Sequence, residues 1–259
     1  VTHIALCIPA LNEEQGIQRT AVVAREAIDA GLVHSAYVLD GGSSDSTAVR
    51  ARDADIEVLF VPSLLPELGP VLGKGDSLFR AVHSIEADWY VFLDADLGNI
   101  SLAHIAALVA PIGRQGVQFV KGGFVRVDEH GVPREVPGGR VTEEYGRPLL
   151  QSVTPELAEL SQPLSGQVAI AGPLARTLSF VTGYGIEIAM LIDVWRLVGA
   201  AGIVEADMGL VNNRWKPDDA LSDVIADVVA GAAQRNVDVA HIYNDLLPVL
   251  KERTSFGKR

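Results

Sequence analysis

Short apolar runs alternate with polar, glycine-rich stretches through the first third of the chain. Residues 4 to 9, 36 to 40, 56 to 61 and 89 to 93 have the length and the β-branched or aromatic bias of strands buried on both faces. Each is followed by a segment with helical spacing, predicted at about 13 to 30, up to 53, 76 to 84 and 101 to 109. Strands alternating with helices imply an α/β sheet. Further on, residues 117 to 127 read as one or two strands containing Lys121, and 128 to 137 as a hairpin or loop. A helix carrying Arg147 and a short helix opened by Pro155 are expected next, then a polar turn at 162 to 167. A long apolar helix runs to Val198, a last strand spans 203 to 208, and a polar loop holds Asn212 to Lys216. Residues 218 to 250 read as one or two amphipathic helices whose expected role is packing or self-association.

Those predicted strands end in chemistry. Trp89-Tyr90-Val91-Phe92-Leu93 runs straight into Asp94-Ala95-Asp96, and a buried strand does not end in two bare carboxylates unless something neutralises them. In an open α/β sheet, ligands sit outside the carboxyl ends of the strands. Asp94 and Asp96 there suit a hard divalent cation, which in turn can hold a diphosphate. The plainer alternative is an Asp-rich turn, with Asp96 capping the next helix. The second strand ends in Asp40 and is followed by Gly41-Gly42-Ser43-Ser44-Asp45-Ser46-Thr47, where glycines admit a ligand and Ser/Asp residues cap a helix. This is neither a dinucleotide fingerprint nor a Walker A motif. Gly73-Lys74-Gly75 stands just before a helix, and Lys74 is either a phosphate contact or a solvated loop lysine. Glu13, Glu14 and Glu187 each fall in an expected first helical turn, where they either complement the dipole or face the cleft.

Composition narrows the class. The chain has 259 residues, 48% hydrophobic, enough for one large core or two small ones. No apolar run approaches the ~20 residues of a spanning helix, and residues 1 to 10 lack the basic leader and cleavage site of a signal peptide. One cysteine, Cys7, excludes an internal disulfide and a cysteine-based zinc cluster; it reads as a core thiol. A cytoplasmic protein with no membrane partner is expected. The formal net charge of −12 argues against nucleic acid as partner, while local basic residues or a metal still permit a phosphorylated ligand.

Taken together, Pro9-Ala10-Leu11-Asn12-Glu13-Glu14, Leu39-Asp40-Gly41-Gly42-Ser43, Gly73-Lys74-Gly75 and Phe92-Leu93-Asp94-Ala95-Asp96 resemble the GT-A fold glycosyltransferases. The second half is more specific. Gly138-Gly139-Arg140-Val141-Thr142-Glu143, Arg147-Pro148-Leu149-Leu150, Pro155-Glu156-Leu157, Gln162-Pro163-Leu164-Ser165-Gly166 and Gly183-Tyr184-Gly185-Ile186-Glu187 resemble the glucosyl-3-phosphoglycerate synthases of glycosyltransferase family 81, retaining enzymes with mannosyl relatives. The resemblance covers roughly residues 3 to 220. It implies a Rossmann-like mixed central sheet with flanking helices and C-terminal helices. The expected division is a GT-A domain at 1–217, with a nucleotide-sugar half to about 100 and an acceptor half from about 101, and a helical extension at 218–259.

The resemblance also implies roles. Pro9, Leu11 and Glu13 would line the base pocket, with Asp40 on the nucleoside and Ser43 nearby. Lys74 would reach the nucleotide, Asp94 and Ala95 the sugar and ribose, and Asp96 a magnesium or manganese ion. Gly139, Arg140 and Thr142 would hold the acceptor's phosphate or carboxylate. Leu164 would stand at the reacting centre through its backbone, and Tyr184 and Glu187 would hold the transferred sugar. The sequence departs from the family pattern after the last strand. A metal-binding histidine and, two residues on, an asparagine near the acceptor are replaced by Asn213 and Trp215, and asparagine offers a metal only a neutral oxygen. The chain is also shorter at both ends.

The expected reaction is transfer of a hexosyl group, with retention, from a nucleoside diphosphate sugar to a small anionic acceptor such as 3-phosphoglycerate. UDP-glucose is favoured over a GDP-sugar, and a homodimer is expected. Front-side attack fits better than a covalent intermediate on Glu187. A paired-carboxylate hydrolase fits poorly, because the two acids at the strand end are expected to point to opposite sides. The alternatives are a related transferase with another small acceptor in specialised metabolism, a sugar-nucleotide-forming nucleotidyltransferase, and a non-catalytic sugar-nucleotide binding protein. The first loop is acidic where a nucleotidyltransferase would be basic.

Overall fold

The computed structural model describes residues 2–212 and 221–239. Seven strands form one sheet: β1 (Ile4–Ala10), β2 (Ser35–Asp40), β3 (Glu57–Phe60), β4 (Trp89–Phe92), β5 (Phe119–Val127), β6 (Val168–Ala171) and β7 (Ile203–Asn212). Their order is β3-β2-β1-β4-β6-β5-β7. β1 pairs in parallel with β2 on one side and β4 on the other, and β2 with β3. β6 runs antiparallel between β4 and β5, and β7 is parallel to β5. The direction of strand order therefore reverses beside β1, which places a topological switch point, and a crevice, outside the carboxyl ends of β1 and β4.

Nine helices flank the sheet among the described residues: α1 (Ile17–Asp29), α2 (Thr47–Asp53), α3 (Lys74–Ser84), α4 (Leu102–Val109), α5 (Arg147–Gln151), α6 (Pro155–Ala158), α7 (Gly172–Ala175), α8 (Ile186–Val198) and α9 (Ser222–Ala233). The central strands are apolar on both faces, as expected, because each face carries its own core. Leu6, Ile8, Trp89 and Val91 pack with Ile17, Ala21 and Ala24 of α1 and Ile105 of α4 on one side. Ala5, Cys7, Tyr90 and Phe92 pack with Leu78 of α3, Leu191 of α8 and Val228 of α9 on the other. Burial pushes the Cys7 thiol up to about 12, as an inert core residue requires. No helix among the described residues is long and apolar enough to cross a membrane.

Several expected boundaries move. α1 begins at Ile17, so Glu13 and Glu14 lie in the preceding turn and not in its first turn. The cause is tertiary: Glu13 N–H donates to Thr47 Oγ1 at 2.8 Å and Glu14 N–H to Asp45 Oδ2 at 3.1 Å, which laces the loop after β1 to the loop after β2. α3 begins two residues early, at Lys74, after Gly73 with φ of 102°. β6 was not expected at all, since four apolar residues have no readable period. β7 continues past Met208 to Asn212, through Gly209 at φ 71°. Ser101, not Asp96, caps α4. Asn213 and Trp215 lie outside the described residues.

Candidate active site

β4 ends at Phe92, so Asp94 and Asp96 belong to the turn beyond it. Both line the same cleft, contrary to the expectation that they point apart: residues two positions apart share a face even on a strand, and the turn keeps these two on one side. The cleft has a volume of about 840 Å³, within the range usual for a small-molecule site. It opens at the switch point, between the loops after β1, β2 and β4 and the amino-terminal ends of α3 and α8.

At its floor Lys74 Nζ lies 2.6 Å from Asp94 Oδ1 and 2.6 Å from Glu187 Oε1. Lys74 is thus neither solvated nor in a loose loop. Burial opposes its charge, but Asp94 and Glu187 outweigh it and hold its pKa above the ordinary lysine value. Lys74 opens α3, and Gly75 beside it has no room for a side chain: a Cβ there would stand 1.8 Å from the Val181 carbonyl oxygen. Glu187 lies in the first turn of α8, so two helix amino termini and two carboxylates meet around one ammonium. Asp94 also accepts from Gln167 Nε2 at 3.1 Å.

Of the residues singled out in the sequence, the cleft gathers Pro9, Leu11, Glu13, Lys74, Asp94, Ala95, Asp96, Gly139, Arg140, Thr142, Leu164, Tyr184 and Glu187. Asp40 and Ser43 are not among its lining. Asp40 is 5% exposed, and its Oδ1 accepts from the backbone N–H groups of Gly42 and Ser43. Ser43 Oγ accepts from Asn12 N–H at 2.9 Å. Both shape the rim from behind.

On the opposite wall Arg140 is joined by two groups that the sequence motifs did not single out, Arg126 on β5 and Arg134. Arg134 N–H donates to the Arg126 carbonyl at 2.9 Å across the turn after β5, so this segment is a hairpin-like return that faces two guanidinium groups inward. Burial lowers the Arg126 pKa; Asp94 and Asp96 pull it up, and Arg134 pushes it down. Like charges gathered on one wall suit an anionic ligand. α9, given no role beyond packing or self-association, contributes Val224, Asp227 and Val228. Asp227 Oδ2 accepts from Tyr184 N–H at 3.0 Å, and Gly185 and Gly231 touch backbone to backbone. Proximity of the turn 183–185 to a helix about forty residues on has no local signature.

No family model matches the chain. Glucosyl-3-phosphoglycerate synthase of Mycobacterium tuberculosis is 36% identical over 237 residues, 90% of this chain and 73% of that one. The chain belongs to the glucosyl-3-phosphoglycerate synthase family. The Mycolicibacterium smegmatis synthase is 35% identical over 90% of this chain and 77% of its own length. A crystal structure of the M. tuberculosis glucosyl-3-phosphoglycerate synthase with Mn2+, uridine-diphosphate-glucose and phosphoglyceric acid superposes with a TM-score of 0.82, at 36% identity, over 92% of this chain and 81% of that one. Mannosyl-3-phosphoglycerate synthase of Rubrobacter xylanophilus superposes with a TM-score of 0.83 at 30% identity, over 90% of this chain and 74% of that one. The fold is that of the GT-A nucleotide-sugar transferases, as its motifs imply. Within this glucosyl-3-phosphoglycerate synthase family member, no three His, Cys, Asp or Glu side chains come together as a metal cluster among the described residues.

Proposed function

We propose that the chain transfers the glucosyl group of UDP-glucose to 3-phosphoglycerate, with retention at the anomeric carbon. The observation that carries this reading is the Lys74–Asp94–Glu187 contact on the floor of a cleft with strand-end carboxylates on one side and three arginines on the other. UDP-glucose and phosphoglyceric acid accompany Mn2+ in the M. tuberculosis relative, which supports the same donor and acceptor here.

The donor's base would lie against Pro9, Leu11 and Glu13, and its diphosphate near Asp96, Lys74 and the amino terminus of α3. Those N–H groups and the Lys74 ammonium stabilise the negative charge that grows on the diphosphate as the glycosidic bond breaks. Tyr184 and Glu187 would hold the sugar's hydroxyls. Lys74 holds one Glu187 oxygen, which favours a hydroxyl-binding role over attack on the anomeric carbon. The acceptor's charges would meet Arg126, Arg134 and Arg140, with Gly139 and Thr142 beside them. The acceptor hydroxyl then attacks from the face the diphosphate leaves, and a departing phosphate oxygen takes its proton.

A divalent cation, magnesium or manganese, fits this site in one way. Asp94 accepts from Lys74 and Gln167, and Asp96, which lines the cleft where the diphosphate would lie, is the carboxylate that would hold the ion. Hard cations accept one or two carboxylates plus substrate phosphates. Bound there, the ion would neutralise charge on the diphosphate. The test is incubation of the chain with UDP-glucose, 3-phosphoglycerate and manganese, read by mass spectrometry, with the product anomer assigned by NMR. Glucosyl-3-phosphoglycerate of retained configuration is expected. Failure to transfer to any small acidic acceptor would overturn the reading.

A further inference from the structure

Lys121, on β5, is a buried charge that the scheme above leaves unused. It is 1% exposed, a rare place for an ammonium. Among the described residues it donates to one acceptor, the Ser165 carbonyl, at 2.6 Å. Ser165 Oγ donates to the Gly122 carbonyl at 2.9 Å, and Gly122 N–H donates to the Gln167 carbonyl at 2.8 Å. Three bonds therefore lace β5 to the turn at 165–167. The residues flanking Ser165, Leu164 and Gly166, line the cleft. On that side Gly166 lies so close to the floor that a Cβ would stand 2.4 Å from Asp94 Oδ1 and 2.6 Å from Lys74 Nζ. A small cavity of about 10 Å³ separates Lys121 from Lys74, Gly166 and Glu187, room for no more than one water.

The turn is thus pressed between two lysines, one on each face. Lys74 and Lys121 together balance Asp94 and Glu187, so the buried set carries no net charge. We propose that Lys121 is a positioning residue for glycosyl transfer, which fixes the Leu164–Ser165–Gly166 backbone against the reacting sugar by gripping the Ser165 carbonyl from beneath. The proposal rests on the reading that this cleft holds a sugar donor. A charged donor makes a stronger bond to a carbonyl than a neutral one, and without it the buried carbonyl has no partner. Burial lowers the Lys121 pKa to about 8; Glu187 pulls it up, Lys74 pushes it down, and Asp94 and Glu205 pull it up. These are the charged groups that face it from α8, α3, the turn after β4 and β7. The ammonium form therefore prevails at neutral pH and is lost in mild alkali.

The full chain and Lys121→Met would be compared by hydrogen exchange and by kinetics. Amides of 162–168 should exchange faster in the variant while those of α1 do not change. The kcat for UDP-glucose should fall about 100-fold, the cost of a misplaced reacting group, with its KM within about threefold. The decline of wild-type kcat near pH 8 should be missing in the variant. Should Lys121→Met fail to fold, Lys121→Gln keeps a donor for the Ser165 carbonyl and should show smaller changes of the same sign. Unchanged exchange at 162–168, or faster exchange with unaltered kcat, would overturn the proposal. Faster exchange in the variant, together with a wild-type protein that transfers no glucose, would count against the assigned reaction and for the grip of Lys121 on the turn.

Discussion

Lys74 Nζ and Glu187 Oε1 lie 2.6 Å apart, joining the first turns of two helices across 113 positions of the chain. Removing the ammonium leaves Asp94 and Glu187 facing each other with their shared counter-ion gone. Lys74→Met should therefore destabilise the fold by about 3 kcal/mol, as breaking a buried pair does. Glu187→Gln, which keeps an acceptor, should cost less. The double variant should lose less than the sum, by roughly 1 to 3 kcal/mol. Urea unfolding of the four proteins measures this, and strict additivity would show that the contact carries no coupling.

Asp96 is assigned to the cation and diphosphate. Asp96→Ala should abolish turnover while the unfolding midpoint changes little, since the turn after β4 lies at the cleft surface. Calorimetry should show that manganese no longer strengthens UDP binding. Wild-type activity in this variant would refute the metal role.

Asp227 holds the Tyr184 N–H from α9. Asp227→Ala removes that acceptor and should raise the KM for UDP-glucose about fivefold, the worth of one hydrogen bond. UDP itself should bind almost as well, because the effect falls on the sugar. Equal KM values in variant and wild type would show that α9 does not set the sugar site.

Stability should respond to pH through Lys121 with a definite sign. Its pKa falls from 10.5 to about 8 on folding, so between those values the unfolded chain binds the proton and the folded chain does not. Stability from this site therefore rises from about pH 8 to about pH 10.5, by roughly 3 kcal/mol. The raised pKa of Lys74 acts the other way, in a window above its ordinary value. The difference between wild type and Lys121→Met across the lower window isolates the rise, and a flat difference would contradict it.

The sequence alone determined the strands of the first half and the chemistry at their ends. Apolar runs such as Trp89 to Phe92 need burial on both faces, and that need is local. The acids and glycines after them follow from the rule that ligands gather at carboxyl ends. Tertiary structure decided the rest. The four residues of β6 are too short to show a period, and their place between β4 and β5 is set by pairing at long range. Asp94 and Asp96, two positions apart, share a side in any extended run, but only the packing of α3, α8 and the return after β5 around them made that side a cleft. Lys74 met Glu187, Lys121 met Ser165 and Asp227 met Tyr184 only because the sheet and its helices brought distant segments together. Periodicity reports which face a residue prefers, whereas a buried charge is stabilised by the particular partner that folding brings to it.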